Sequence, residues 1–235
     1  MPVSQEEIFA ACEGDRWFRR NKSTLERFVP ASDLPLQIME LYSLRPRCVL
    51  EIGAANGYRL AAISARYSAK TVAVELSTEA IRDGQSKFPQ VTFVQGSLHA
   101  LPLQEPFDLI IVNFVFHWVD RTRLLRSVAE VDRVLAAGGF LLIGDFAPAN
   151  RLKVRYHHLA EPELYTYKQD YAATFLASGL YQAVCLLTTE HAAGALRGEV
   201  GEDTRIGVWL LRKRLMELYL AVDHAADDAG GRHLG

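Results

Sequence analysis

Between residues 48 and 143 the chain alternates short apolar runs with stretches of helical spacing. Cys48-Val49-Leu50-Glu51-Ile52, Thr71-Val72-Ala73-Val74-Glu75, Val91 to Val94, Phe107 to Val112 and Phe140-Leu141-Leu142-Ile143 read as strands. Each is short and nearly all apolar, the signature of a strand buried on both faces. Gly57 to Tyr67, Ser77 to Lys87 and Leu124 to Leu135 read as helices, the last stopped by Gly138-Gly139. Buried strands alternating with helices predict a doubly wound α/β domain with a mostly parallel sheet. The rhythm then changes. Tyr171 to Ser178 predicts one more helix, closed by Gly179, but Ala183 to Thr189 and Ile206 to Leu211 are strands with no helix between them. Parallel neighbours need a crossover, so this pair predicts an antiparallel ending.

Residues 1–46 form an N-terminal helical segment by the same reading, with two short pieces between Ile8 and Phe28. Another helix starts at Asp33-Leu34-Pro35, with Asp33 as N-cap, and Pro46 ends the segment. Residues 47–214 make the main domain, and 215–235 a tail with little core signal. Of the 235 residues, 49% are hydrophobic, enough for one domain with a sizeable core. A net charge of -2 argues against nucleic acid and anionic membrane surfaces as partners. No apolar run approaches the roughly 20 residues of a membrane span. Cys12, Cys48 and Cys185 are scattered and odd in number, so neither a disulfide framework nor a metal site is expected. The first fifteen residues carry acids and no apolar h-region, so the expected setting is cytoplasmic.

The chemistry starts at Val49 to Leu60, where a buried strand runs through Gly53-Ala54-Ala55-Asn56-Gly57 into a helix. Gly53 allows a sharp turn, Ala54 and Ala55 keep side chains small, and Gly57 allows the helix start to lie close to a ligand. Glu75 ends the second strand, where a carboxylate can accept bonds from both hydroxyls of a ribose. Strand, small turn, helix, strand and acid together describe an adenosine-binding half. The dinucleotide fingerprint G-x-G-x-x-G is missing, because Ala55 stands at its second glycine. Glu51, just before the turn, suits a cationic ligand better than a pyrophosphate.

Leu50-Glu51-Ile52-Gly53-x-x-x-Gly57 resembles motif I of the class I S-adenosylmethionine (SAM)-dependent methyltransferases, which usually has Gly where Ala55 stands. Val74-Glu75-Leu76-Ser77 resembles the next motif, with Glu75 as the ribose acid. Gln95-Gly96-Ser97-Leu98 is similar to the segment that sets Ser97 and Leu98 by the adenine. Phe107 to Asn113 and Leu135 to Leu141 resemble the approaches to strands four and five. The resemblance implies a Rossmann-like, seven-stranded sheet with an antiparallel last strand, and SAM as cofactor. It implies cofactor contacts from Glu51, Gly53, Ala54, Ala55, Asn56, Gly57, Glu75, Leu76, Ser97, Leu98, Asn113 and Phe114. Trp17-Phe18-x-Arg20-Asn21, Tyr156-His157-His158 and Tyr165-x-Tyr167-Lys168 are similar to a narrower bacterial set associated with surface-carbohydrate biosynthesis.

On the acceptor side, His117 follows strand four and is a candidate base; capping the next turn is the alternative. The polar, aromatic stretch 155–171 is a candidate acceptor lid, with His157 and His158 as candidate catalytic groups and Tyr156, Tyr167, Lys168 and Tyr171 as candidate substrate contacts. The expected function is methyl transfer from SAM to a small molecule, with a carbohydrate or related metabolite as one acceptor class. An NAD-type oxidoreductase and a non-catalytic SAM-binding module are the alternatives, and the oligomeric state stays open.

Overall fold

The computed structural model describes residues 4–159, 161–190, 196, 199–216 and 219. Among the described residues nine strands follow one another: β1 (Cys48–Ile52), β2 (Lys70–Glu75), β3 (Val91–Gln95), β4 (Phe107–Asn113), β5 (Leu135–Phe146), β6 (Leu152–Arg155), β7 (Tyr165–Lys168), β8 (Tyr181–Glu190) and β9 (Arg205–Lys213). Seven form one sheet in the order β3-β2-β1-β4-β5-β9-β8. The first five are parallel, and β9 runs antiparallel to both β5 and β8. This is the doubly wound, Rossmann-like sheet expected, with the antiparallel strand at its late end.

Alternation along each strand sends neighbours to opposite faces. Val49, Ala73, Leu109 and Leu142 enter one core cluster, and Leu50, Val72, Ile110 and Leu141 enter the other. Register supports the sorting, since Leu50 lies opposite Val72 on one side and Ile110 on the other.

The helices are α1 (Gln5–Ile8), α2 (Gly14–Glu26), α3 (Leu34–Leu41), α4 (Tyr58–Tyr67), α5 (Thr78–Lys87), α6 (Leu124–Val134) and α7 (Ala172–Leu176). A π-helical turn, Phe9–Glu13, joins α1 to α2, so the two pieces expected near the N-terminus form one continuous helix with a bulge. Asp33 caps α3 by accepting a bond from the Leu36 amide at 3.1 Å. Ile38 and Met39 of α3 are fully buried in the second cluster, so this helix is part of the sheet domain's core.

Two elements depart from the sequence reading. Helix α6 stops at Val134 rather than at the glycines, because Leu135 already pairs with Phe107 of β4. The stretch expected as a loop lid is a hairpin instead, with β6 and β7 paired from Leu152↔Lys168 to Arg155↔Tyr165. The predicted tail 215–235 lies almost wholly outside the described residues. Among the described residues, no helix is long and apolar enough to cross a membrane.

Candidate active site

The turn after β1 is built on left-handed backbone. Gly53, Ala55 and Gly57 have φ of +68°, +50° and +76°. At Gly53 a Cβ would stand 2.4 Å from Val115 Cγ2. At Gly57 it would stand 2.7 Å from Phe93 Cζ, so packing against β3, rather than a ligand, excludes a side chain there. The Gly53 amide donates to the Val74 carbonyl at 2.8 Å, which ties the turn to the end of β2.

Glu75 sits at that end and organises the turn. Its Oε2 accepts from the Ala55 amide at 2.9 Å, and its Oε1 from the amides of Leu76 at 2.8 Å and Ser77 at 2.9 Å. Burial pushes the Glu75 carboxyl above the ordinary carboxylate range, against the pull of these three donors. A carboxylate has about four lone-pair positions, so acceptor capacity is left on Oε2.

A cleft with about 810 Å³ of open space lies over this turn. Ile52, Gly53, Ala55, Val74, Glu75 and Leu76 form its floor. Gly96, Ser97 and Leu98 after β3, and Phe114, Val115, Trp118 and Val119 after β4, form two sides. The roof is N-terminal: Glu6, Phe9, Gly14, Trp17 and Phe18. Sequence reading missed this roof. Its aromatic residues were visible, but nothing local says which distant cavity a helix will cover.

Of the cofactor contacts implied by resemblance, Gly53, Ala55, Glu75, Leu76, Ser97, Leu98 and Phe114 line the cleft, whereas Glu51, Ala54, Asn56, Gly57 and Asn113 do not. Glu51 faces the other way. Its carboxylate and that of Asp33 share the buried Arg59 guanidinium, whose Nη2 is 2.8 Å from Asp33 Oδ2. Burial pushes the Glu51 carboxyl up to about 7 against the pull of Arg59, and the neighbouring charge of Asp33 adds to the rise. Asn56 is buried and donates to Asp83 at 2.8 Å. Ala54 belongs to the core, and the Asn113 side chain lies against Gly144, where a Cβ would be 2.0 Å from its Oδ1.

His117 lies in a 3-10 turn, Phe116–Trp118, just behind the cleft wall. It is buried; its Nδ1 is 2.8 Å from Asp145 Oδ1, and its amide donates to Asp145 Oδ2 at 3.2 Å. A carboxylate there holds the proton on Nδ1 and leaves the Nε2 lone pair to act. The His117 ring is 4.7 Å from that of Trp118 and 6.1 Å from that of Phe114, both cleft residues.

The expected lid residues do not line the cleft. Tyr156 is buried, its hydroxyl donating to Glu13 at 2.8 Å and accepting from Arg20 at 2.5 Å. His157 and His158 are exposed and lie against each other at a tilt, with ring centroids 3.9 Å apart. Tyr171 stacks on Phe116 in the core, Arg121 lies over Tyr167 with its guanidinium 4.4 Å from the ring centroid, and Lys168 lies over Phe146 at 4.2 Å. The hairpin is a clasp for the roof. Gln5 donates to the carbonyls of Trp118 at 2.8 Å and Tyr165 at 3.1 Å, and accepts from the Tyr165 amide at 2.7 Å. A reading of residue type alone placed the clasp inside the site; the structure places it behind the helix that covers the site.

Residues 49–139 match the methyltransferase-domain family. Residues 49–139 form a SAM-dependent methyltransferase domain. The chain is 29% identical over 156 residues to a probable S-adenosylmethionine-dependent methyltransferase of Mycobacterium tuberculosis H37Rv, covering 62% of this chain and 50% of that protein. It is 31% identical over 119 residues to malonyl-[acyl-carrier protein] O-methyltransferase 1 of Coxiella burnetii, covering 50% and 40% respectively. The chain therefore spans half or less of the length of these curated relatives. The fold matches that of the Burkholderia thailandensis 1,6-didemethyltoxoflavin N1-methyltransferase, solved with S-adenosylhomocysteine, at a TM-score of 0.66 and 17% identity over 91% of this chain and 92% of that one.

The cleft suits the cofactor of this class. SAM carries a sulfonium, an ammonium and one carboxylate, a net positive charge. Among the described residues the lining holds two acids, Glu6 and Glu75, and no Lys or Arg. A pyrophosphate-bearing dinucleotide would meet two carboxylates and no cation there.

Proposed function

We propose that the chain transfers the methyl group of SAM to a small neutral or cationic acceptor, with His117 as base. The observation that carries the cofactor half is Glu75 at the cleft end of β2, bonded to the Ala55 amide of the turn and retaining acceptor capacity for a ribose. When bound, SAM supplies an activated methyl group on sulfur. The chain's part is to hold that group in line, exclude water and take a proton. The roof of Phe9, Trp17 and Phe18 serves the second task. The pairing of His117 with Asp145 serves the third, and it favours an enzyme over a binding module.

The lining bears on the acceptor class. Aromatic rings suit a flat or apolar group, and the absence of Lys and Arg among the lining residues disfavours a carboxylate acceptor. The carbohydrate acceptor rests on sequence resemblance alone and gains no support from this lining.

The test is calorimetric titration with SAM, S-adenosylhomocysteine and NAD, followed by mass-spectrometric detection of methylation across phenols, nitrogen heterocycles and sugars. Binding of the two adenosyl ligands and not NAD is expected. His117→Asn should keep S-adenosylhomocysteine affinity within about twofold and lower turnover ~10²-fold or more, the scale of a lost general base. Unchanged turnover in H117N would remove the base from the reading.

A further inference from the structure

Two acidic side chains line the cleft, and the proposed function gives a task only to Glu75. The other, Glu6 of α1, is 8% exposed. Its Oε1 accepts a bond from the Asp120 amide at 3.1 Å. Its Oε2 is buried and accepts no hydrogen bond. The Arg123 Nη1 stands 3.8 Å from it, beyond hydrogen-bond reach. A buried carboxylate oxygen without a donor is costly, so a donor brought by a ligand gains binding energy there.

Glu6 is fixed beside the loop that follows β3. Arg123 Nη1 lies 3.4 Å from His99 Nε2, and His99 Nδ1 lies 2.7 Å from Ser97 Oγ. Ser97 and Leu98 share the cleft with Leu76, the residue next to Glu75. A base attached to a ribose at Glu75 lies within reach of this corner. Leu76, Leu98 and Val119 offer apolar contact to the faces of a flat heterocycle and nothing to a charged amino-acid end. What a purine then needs is a partner for its polar edge.

We propose that Glu6 Oε2 accepts a hydrogen bond from the exocyclic amine of the cofactor's adenine, so that α1 reads a 6-amino against a 6-oxo purine. The inference rests on the SAM reading above. The Oε2 atom satisfies its missing bond with the amine, whereas a 6-oxo base would bring an oxygen lone pair against a carboxylate. The roof is then part of the recognition of the cofactor as well as its cover.

The test is calorimetry on the full chain with S-adenosylhomocysteine and S-inosylhomocysteine, which differ in the group at C6 of the base and in the proton that the 6-oxo form carries on N1. The wild-type chain should prefer the adenosyl ligand at least ~tenfold, about the value of one charged hydrogen bond. Glu6→Gln keeps size and the Asp120 contact, and its amide can turn a donor toward the 6-oxo group, so the preference should shrink to ~threefold or less. Glu6→Asp keeps the charge and shortens the reach, and serves if E6Q does not fold; it should weaken the adenosyl ligand alone. A wild-type chain without preference, or an E6Q or E6D chain with the full wild-type preference, overturns the proposal. If neither ligand binds the wild-type chain, the SAM reading fails and this inference with it; binding of both with equal affinity leaves that reading standing and removes only Glu6.

Discussion

Glu75 is the residue whose replacement separates architecture from ligand binding, and Glu75→Gln is the cleanest perturbation. The wild-type carboxylate takes three backbone donors, at 2.8 to 2.9 Å. A glutamine amide has one oxygen. In its best orientation that oxygen keeps Leu76 and Ser77 while the NH2 group faces the Ala55 amide, donor against donor. One charge-assisted bond is lost and two become neutral, about 2–3 kcal/mol in total. The variant also no longer buries a charge whose carboxyl is held above its ordinary range, which returns part of that loss. A net destabilisation of about 1–2 kcal/mol is expected by urea unfolding. Affinity for S-adenosylhomocysteine should fall further, by roughly thirtyfold, as the ribose loses its charged acceptor. The wild-type affinity should itself decline as pH falls through the raised range of this carboxyl, because protonation takes up the one acceptor position left on Oε2 for a ribose hydroxyl; E75Q should lack that dependence. Calorimetry on a variant shown to be folded decides the matter. Affinity within threefold of wild type would refute Glu75 as the ribose acid.

Three further outcomes follow from the geometry. Gly53→Ala places a Cβ 2.4 Å from Val115 Cγ2 at a φ of +68°, so thermal unfolding should show a loss of about 2 kcal/mol or more, and Val115→Ala in the same chain should recover the steric part only. Tyr156→Phe removes the hydroxyl between Glu13 and Arg20, which should cost about 1–2 kcal/mol and speed ligand release in stopped-flow, whereas His157→Ala, at an exposed ring, should change neither. Glu51→Gln addresses pH. Burial raises this carboxyl from 4.5 to about 7, so the native state holds its proton longer than the unfolded chain, and the wild-type protein loses stability as pH rises across that interval, by at most about 3 kcal/mol. The difference in urea midpoint between E51Q and wild type should move in the variant's favour from pH 5 to pH 8; a difference that stays constant over that interval would contradict the burial argument.

The sheet was legible because its signal is local and repeated. Val49-Leu50 and Ile110-Ile111 are apolar on successive positions, which only a strand covered on both faces tolerates. The placement of Glu75 and of the Gly53 turn side by side at the cleft was legible for a related reason: one strand end fixes both, through the bond from Gly53 to Val74. Which way the other residues of the same turn face was not legible without a third dimension. Glu51 and Gly57 have the right types at the right spacing, yet one is claimed by Arg59 and the other by Phe93. The β6–β7 hairpin gave almost no pattern, since two four-residue strands rich in Lys, Arg and Tyr look like a polar loop. The roof was invisible for the strongest reason. Phe9, Trp17 and Phe18 owe their place over the cleft to bonds such as Gln5 to Tyr165 and Ser77 to Asp15, and those span 160 and 62 positions.

That long clasp has a consequence for how the chain acquires its site during synthesis. At roughly 5–20 residues per second, the helix through Gln5 waits on the order of ten to thirty seconds before Tyr165 is made. Five strands of the sheet precede β7 along the main part of the chain, and their contacts with near neighbours close shorter loops. Pairing of β1 with β2 therefore comes within reach well before the clasp does, and the cleft exists for a time as an open groove with Phe9 and Trp17 uncovered. SAM present in that interval meets a site without its roof, and docking of the first helix becomes a late, ligand-sensitive step of maturation. Deleting the clasp should leave the sheet's hydrogen-exchange protection in place and remove the dependence of the N-terminal helix's protection on ligand.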